Sequence, residues 1–175
     1  MFKDFVHFVR DLYSTNDPIP LHEPRFIGNE KKYLADVIDS TYVSSVGPYV
    51  DKFEQSIVDA TGAKYAIATV NGTAALHIAL KLAGVVAGDE VITQSLTFIA
   101  TCNAIRYCNA TPVFVDVDFK TLGLSARSLQ IFLDECCEIR DDGYCWNIKT
   151  NNIIRACLPM HTFGFPVDLD KINDI

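Results

Sequence analysis

The chain has 175 residues, 49% of them hydrophobic and 21% charged, with a formal net charge of −7. That length allows one domain with a substantial core, and the composition excludes an intrinsically disordered chain. Lys and Arg are scattered, which excludes the concentrated positive surface that binding to a nucleic-acid backbone requires.

The opening ten residues mix charge into every turn, unlike the unbroken apolar region of a secretory signal. His77 and Lys81 interrupt the best apolar run, so no membrane segment is expected, and the location is read as cytoplasmic. Phe2, Phe5, Val6, Val9, Leu12 and Tyr13 share one helical face, predicting a helix over 2–13 that the breaker-rich run 14–20 ends. Asn29 is placed to cap a second helix with Tyr33, Leu34, Val37 and Ile38 on its apolar side. Pro48 suits the first turn of a third, whose stripe is Val50, Phe53 and Ile57 and which Gly62 stops.

Beyond this point strands and helices alternate. Strands are predicted over 65–70, 90–93, 112–117 and 153–158, and helices over 73–83 (closed by Gly84), 97–107 and 125–136. The alternation implies βαβ units, hence an α/β fold with a mainly parallel sheet and flanking helices. Ligands in such sheets bind beyond the carboxyl ends of the strands, where the polar turns of this chain fall. The polar stretch 138–152 reads as a surface excursion or hairpin. Asp168 can cap a last helix over 169–175, which has no terminator and no strand after it, as expected of a chain cut short.

Six cysteines, Cys102, Cys108, Cys136, Cys137, Cys145 and Cys157, lack C-x-x-C spacing. They are read as reduced, mostly core-filling thiols, and no metal is expected. Asn71-Gly72-Thr73 opens the 73–83 helix. Free amides and the helix dipole stabilise an anion at such a point, glycine permits close backbone approach, and Thr73 adds a hydroxyl. The same tripeptide also serves as a simple turn, and neither G-x-G-x-x-G nor G-x-x-x-x-G-K-[ST] is present. Phe98, where a strand gives way to a helix, can present its face to a flat heterocycle or pack in the core. Asn103 can be a polar wall or an exposed residue. Asp116 and Asp118 fit a turn and cap better than a metal pair. His161 falls at the ligand edge, as a functional or a buried histidine.

In order, the chain carries Ile19-Pro20-Leu21-His22-Glu23-Pro24-Arg25-Phe26-Ile27-Gly28-Asn29-Glu30, Tyr42-Val43-Ser44-Ser45-Val46-Gly47 and Asn71-Gly72-Thr73-Ala74-Ala75-Leu76-His77. Then follow Gly88-Asp89-Glu90-Val91-Ile92, Thr97-Phe98-Ile99-Ala100-Thr101, Thr111-Pro112-Val113-Phe114-Val115-Asp116-Val117-Asp118 and Met160-His161-Thr162-Phe163-Gly164. From about residue 18 onward this series resembles the DegT/DnrJ/EryC1/StrS family of pyridoxal-phosphate-dependent sugar aminotransferases, most of all its legionaminic acid-type branch. Phe165 stands where that branch is expected to carry a polar residue.

The resemblance implies the N-terminal portion of the large domain of a type I aminotransferase fold. Residues 1–20 then form a helical arm, 21–62 a helical segment, and 63–175 the first part of the cofactor-binding domain. It implies pyridoxal 5'-phosphate as cofactor, its phosphate held by Asn71, Gly72, Thr73 and Ala74 and its ring stacked on Phe98. Asn103 and His161 are candidate walls of the substrate or cofactor site. The Schiff-base lysine and the aspartate that holds the pyridine nitrogen protonated are expected beyond Ile175, which leaves this chain by itself inactive. Lys64, Lys81, Lys149 and Lys171 are all poorly placed to replace that lysine. The implied partners are a nucleotide-linked keto-sugar, an amino donor such as glutamate, and a second copy in a homodimer. A non-catalytic remnant that keeps only interaction surfaces is the alternative reading, and a nucleotide-binding α/β module a more distant one.

Overall fold

A computed structural model describes residues 2–20 and 23–175. Met1 and the Leu21-His22 pair of the first resembling motif lie outside the described residues. The described residues form two compact units, one up to Ile67 and one over Ala68–Ile175.

The first unit is helical. Its helix α1, Lys3–Tyr13, follows the predicted stripe. Helix α2, Glu30–Asp39, begins after Asn29, whose side chain makes no capping bond. The Glu30 carboxylate reaches back instead and accepts from the Gly28 amide at 2.9 Å. Helix α3, Pro48–Thr61, starts on its proline and ends at Gly62, whose φ of 71° only glycine adopts without strain. α2 and α3 meet through Tyr49, which donates to Asp36 at 2.8 Å and lies 5.2 Å from the Tyr33 ring. The bond to Asp36 raises the Tyr49 phenol above its ordinary pKa.

The second unit holds helix α4 (Gly72–Leu82), strand β1 (Glu90–Gln94), helix α5 (Ile99–Tyr107), strand β2 (Thr111–Val115) and helix α6 (Ala126–Cys136). Strands β3 (Cys137–Ile139), β4 (Cys145–Asn147) and β5 (Asn152–Cys157) follow, then the 3₁₀ turn Thr162–Gly164 and helix α7 (Leu169–Asn173). The order across the sheet is β2-β1-β5-β4-β3. β1 runs parallel to both β2 and β5, as the alternation predicts. The polar stretch 138–152 is the hairpin alternative: β3 and β4 pair antiparallel, and β4 joins β5 antiparallel, so the sheet is mixed. Ser125 and Asp168 cap α6 and α7 through their side chains, accepting from Ser128 and Lys171.

One predicted strand does not form among the described residues. Residues 65–70 are extended but join no ladder among the described residues, and Tyr65, Ile67 and Val70 are 75%, 84% and 89% exposed. Alternation records a preference for extended backbone, but a strand also needs a ladder with a neighbour's N–H and C=O groups, and among the described residues no such ladder forms here.

β1 is the centre of the core, buried at all five positions. Val91 packs with Leu80, Val85, Ala104, Ile105 and Cys108 on the α4–α5 side. Ile92 packs with Val115, Leu124, Leu129 and Val167 on the α6–α7 side. Successive residues thus serve opposite faces, each fully buried aliphatic side chain contributing about 1.5–3 kcal/mol. β5 carries one extra residue against β1, since Glu90 pairs with Ile154 and Val91 with Ala156. The bulge lets Ile154 and Ala156 join opposite core clusters although they are two apart. Arg155, the extra residue, donates to buried Asp89 at 2.9 Å, and that bond raises the guanidinium pKa further. The carboxylate of Glu90, also buried, accepts from Asn147 at 2.8 Å and from Asn152 at 3.3 Å, tying the hairpin to β1. Of the cysteines only Cys108 is buried, and Cys157 is exposed, which corrects the reading of them as core filler. The others are partly buried, Cys102 within α5 and Cys136, Cys137 and Cys145 at the ends of α6, β3 and β4.

Candidate cofactor site

Asn71 has extended backbone and caps α4: its side-chain oxygen accepts from the Ala74 amide at 2.9 Å, and its carbonyl from Ala75 at 3.1 Å. The Thr69 hydroxyl steadies that carbonyl at 3.1 Å. The cap therefore consumes Ala74's donor. Among the described residues, the amides of Gly72 and Thr73 and the Thr73 hydroxyl have no acceptor. A methyl group placed on Gly72 would meet no atom within 4 Å, and its φ lies outside the left-handed region. Neither packing nor conformation within this chain requires glycine there. The turn follows the extended 65–70 segment, so it does not lie at a strand end as predicted.

Phe98 is the N-cap residue of α5 and is 69% exposed, so the core-phenylalanine alternative does not hold. Asn103 is half-buried further along α5. α4 and α5 lie together, joined by Leu76, Leu80, Ala104, Ile105 and Cys108 and by an edge contact of the His77 and Tyr107 rings, 5.8 Å apart. The Asn71–Ala74 turn and Phe98 thus stand at the starts of two packed helices.

His161 is exposed in the loop after β5. Its Nδ1 accepts from the Val167 amide at 3.0 Å, which assigns the neutral ring's proton to Nε2. The β1–α5 loop, with Phe98, and the β5–α7 loop, with His161, meet where Thr97 Oγ1 lies 3.0 Å from Met160 Sδ and 2.9 Å from Thr101 Oγ1. Sequence reading passes over two members of this junction, Gln94 and Thr162. The one available signal is a polar residue ending a strand whose other positions read as buried.

Asp116 accepts from the Val117 amide, and Asp118 from those of Lys120 and Thr121, so both serve the turn. Among the described residues no group of three His, Cys, Asp or Glu could hold a metal ion. Lys81 lies in the last turn of α4, and Lys171 is paired with Asp168, lowering the carboxyl pKa and raising that of the ammonium. Lys64 lies over the Tyr65 ring, and Lys149 follows β4. The donor set of Gly72 and Thr73 under open space, with an exposed aromatic face on the adjoining helix, fits a phosphorylated flat heterocycle.

GDP-perosamine synthase of Caulobacter vibrioides is 40% identical over 157 residues, covering 90% of this chain and 38% of that protein. The UDP-4-amino-4-deoxy-L-arabinose–oxoglutarate aminotransferase of Shewanella sediminis is 34% identical, covering 92% and 37%. The crystal structure of an aminotransferase from Psychrobacter cryohalolentis matches with a TM-score of 0.70 and 31% identity, over 89% of this chain and 35% of that one. A structure of DesI in the presence of its TDP-sugar product matches with a TM-score of 0.68 and 28% identity, over 91% and 36%. The chain spans about 38% of the length of the curated relatives it matches. The model of the DegT/DnrJ/EryC1/StrS aminotransferase family matches residues 24–175, and the chain belongs to that family.

Proposed function

We propose that this chain supplies the phosphate-binding and ring-stacking half of a pyridoxal 5'-phosphate site, within an enzyme that converts a nucleotide-linked keto-sugar to an amino-sugar. The observation that carries the reading is the pair of unpaired amides at Gly72 and Thr73, beside an unpaired Thr73 hydroxyl, at the start of an 11-residue helix. Such a helix start carries partial positive charge, so a dianionic phosphate is stabilised there by hydrogen bonds and by the dipole together. Asn71 holds the turn open by capping Ala74, and Phe98 offers a solvent-facing ring for stacking. His161, its Nδ1 occupied by the Val167 amide, presents Nε2–H as a donor toward substrate oxygen. Asn103 offers a side-chain amide on the same helix as Phe98.

When bound, the cofactor supplies an electron sink for moving an amino group between donor and ketone. The anchoring lysine and the aspartate partner of the pyridine nitrogen belong, in this reading, to sequence outside these 175 residues. Three of the relatives named above carry GDP-, UDP- and TDP-linked sugars in their names, which supports a nucleotide-sugar substrate without selecting the base. Glutamate as donor, a homodimeric assembly, a cytoplasmic location and a role in surface polysaccharide or nonulosonic acid synthesis complete the proposal. No described helix is long and apolar enough to cross a membrane.

Pyridoxamine 5'-phosphate is the appropriate probe, because it lacks the aldehyde that labels lysines unselectively. Titrated into the isotopically labelled chain, it should shift the amide resonances of Gly72 and Thr73 and the ring resonances of Phe98. Shifts confined to other residues, or none at millimolar probe, would refute the assignment.

A further inference from the structure

We infer that Gln94 is a positioning residue that sets the arrangement of the loops carrying Phe98 and His161; the inference rests on the reading of those loops as a cofactor site. Gln94 ends β1 and is 0% exposed. Its Nε2 donates to Thr162 Oγ1 at 2.7 Å, to the Leu96 carbonyl at 2.9 Å and to the Leu122 carbonyl at 3.3 Å. Its Oε1 accepts from the Met160 amide at 3.1 Å. One carboxamide thereby holds the loops that leave β1, β2 and β5, the three parallel strands of the sheet.

Only an amide fits this place. Three acceptors share its two N–H groups on one side and one donor lies on the other; a carboxylate would offer no donor to the acceptors, and a hydrocarbon would pair with none of the four. The loops so held are not ones the backbone favours. Leu122, whose carbonyl Gln94 binds, has φ 55°, and Phe163, next to buried Thr162, has φ 53°. Both are non-glycine residues in the left-handed region, which persists where surrounding contacts over-determine it. Gln94 supplies contacts to Leu122 itself and on both sides of His161, and the loops it holds carry Phe98, two positions beyond Leu96, and His161, between Met160 and Thr162.

Backbone amide exchange followed by NMR tests this in the chain as it exists, independently of any cofactor. Gln94→Leu keeps the volume and removes every polar contact; it should accelerate exchange of the Met160, Val167 and Thr101 amides at least tenfold while leaving the α6 amides unchanged. Thr162→Val, a milder change of equal shape, should loosen the Phe165 and Val167 amides alone. Unchanged exchange in both variants would overturn the inference, as would a uniform rise that includes α6, the mark of a plain core residue. Pyridoxamine 5'-phosphate affinity supplies the functional arm, with a loss of at least fivefold expected in Gln94→Leu. If the parent chain binds the probe and Gln94→Leu binds it equally with its loops loosened, the positioning role fails. If the parent does not bind while the loops loosen as stated, the cofactor reading fails and the three-loop tie stands.

Discussion

At Gly72 a side chain would meet only open space within the chain, so its cost falls on whatever approaches from outside. Gly72→Val should leave thermal unfolding within a few degrees of the parent yet weaken pyridoxamine 5'-phosphate binding at least tenfold, by screening the amides of Gly72 and Thr73. Phe98 gives the complementary case. The residue is 69% exposed, so Phe98→Ala should change folding stability by no more than about 0.5 kcal/mol, where a core phenylalanine would cost about 3–5. Probe affinity should fall all the same, and an equal affinity would remove Phe98 from the site. Cys137 makes a prediction of another kind. Burial, reinforced by neighbouring Cys145, pushes its thiol up to about 12 from 9.0. The unfolded thiol ionises first as pH rises, so stability that the neutral thiol contributes is full below pH 9 and is lost between 9 and about 12. Comparing urea midpoints of the parent and Cys137→Ala at pH 8.5 and 11 should show the gap between them narrowing; a constant gap would contradict the shift. The roles legible in sequence at this scale are local ones, such as the cap at Asp168, although Asn29, read as a cap in the same way, makes no capping bond. Gln94 was not legible, because its partners Met160 and Thr162 are 66 and 68 residues away.

Elements followed the same division between local and distant causes. The helices announced themselves through apolar period, a proline start at Pro48, a capping side chain at Asp168, and glycines at positions 62 and 84. The stretch 65–70 misled because its alternation of apolar and small residues is that of a strand, whereas pairing depends on a neighbour that no local pattern reveals. The hairpin's tie to the parallel strands was hidden for the same reason, since the amides of Asn147 and Asn152 act on Glu90 of β1, 57 and 62 residues away. Gly123 shows how tertiary approach fixes a loop. A methyl group there would stand 2.9 Å from Val167 Cβ and 3.3 Å from the Met160 carbonyl, and Val167 belongs to the core. Gly123→Ala should therefore destabilise the second unit by about 1–3 kcal/mol, through displacement of the segment leading to α7. Chemical denaturation measures this, and a variant as stable as the parent would mean that the β2–α6 loop yields freely.

For the molecule as a whole a decisive question is whether Lys81, Lys149 or Lys171 can reach the proposed ring position. Along the 11-residue α4, Lys81 is nine residues beyond Gly72, roughly 14 Å at 1.5 Å per residue, and points the chemistry to the wrong end of the helix. Lys171 is engaged with Asp168, and Lys149 follows β4 in the hairpin that lies beyond β5 from β1. Transamination needs an amine that can bond the cofactor carbon and then carry a proton, and a phosphate seat alone provides neither. The 175-residue chain should accordingly show no turnover of a keto-sugar nucleotide with glutamate, while still responding to pyridoxamine 5'-phosphate at Gly72, Thr73 and Phe98. Treatment with pyridoxal 5'-phosphate and borohydride, followed by peptide mass spectrometry, should give scattered sub-stoichiometric labelling of exposed lysines. One lysine labelled stoichiometrically, its label suppressed by the Gly72→Val substitution and accompanied by turnover, would show that this part of the family fold carries its own covalent anchor.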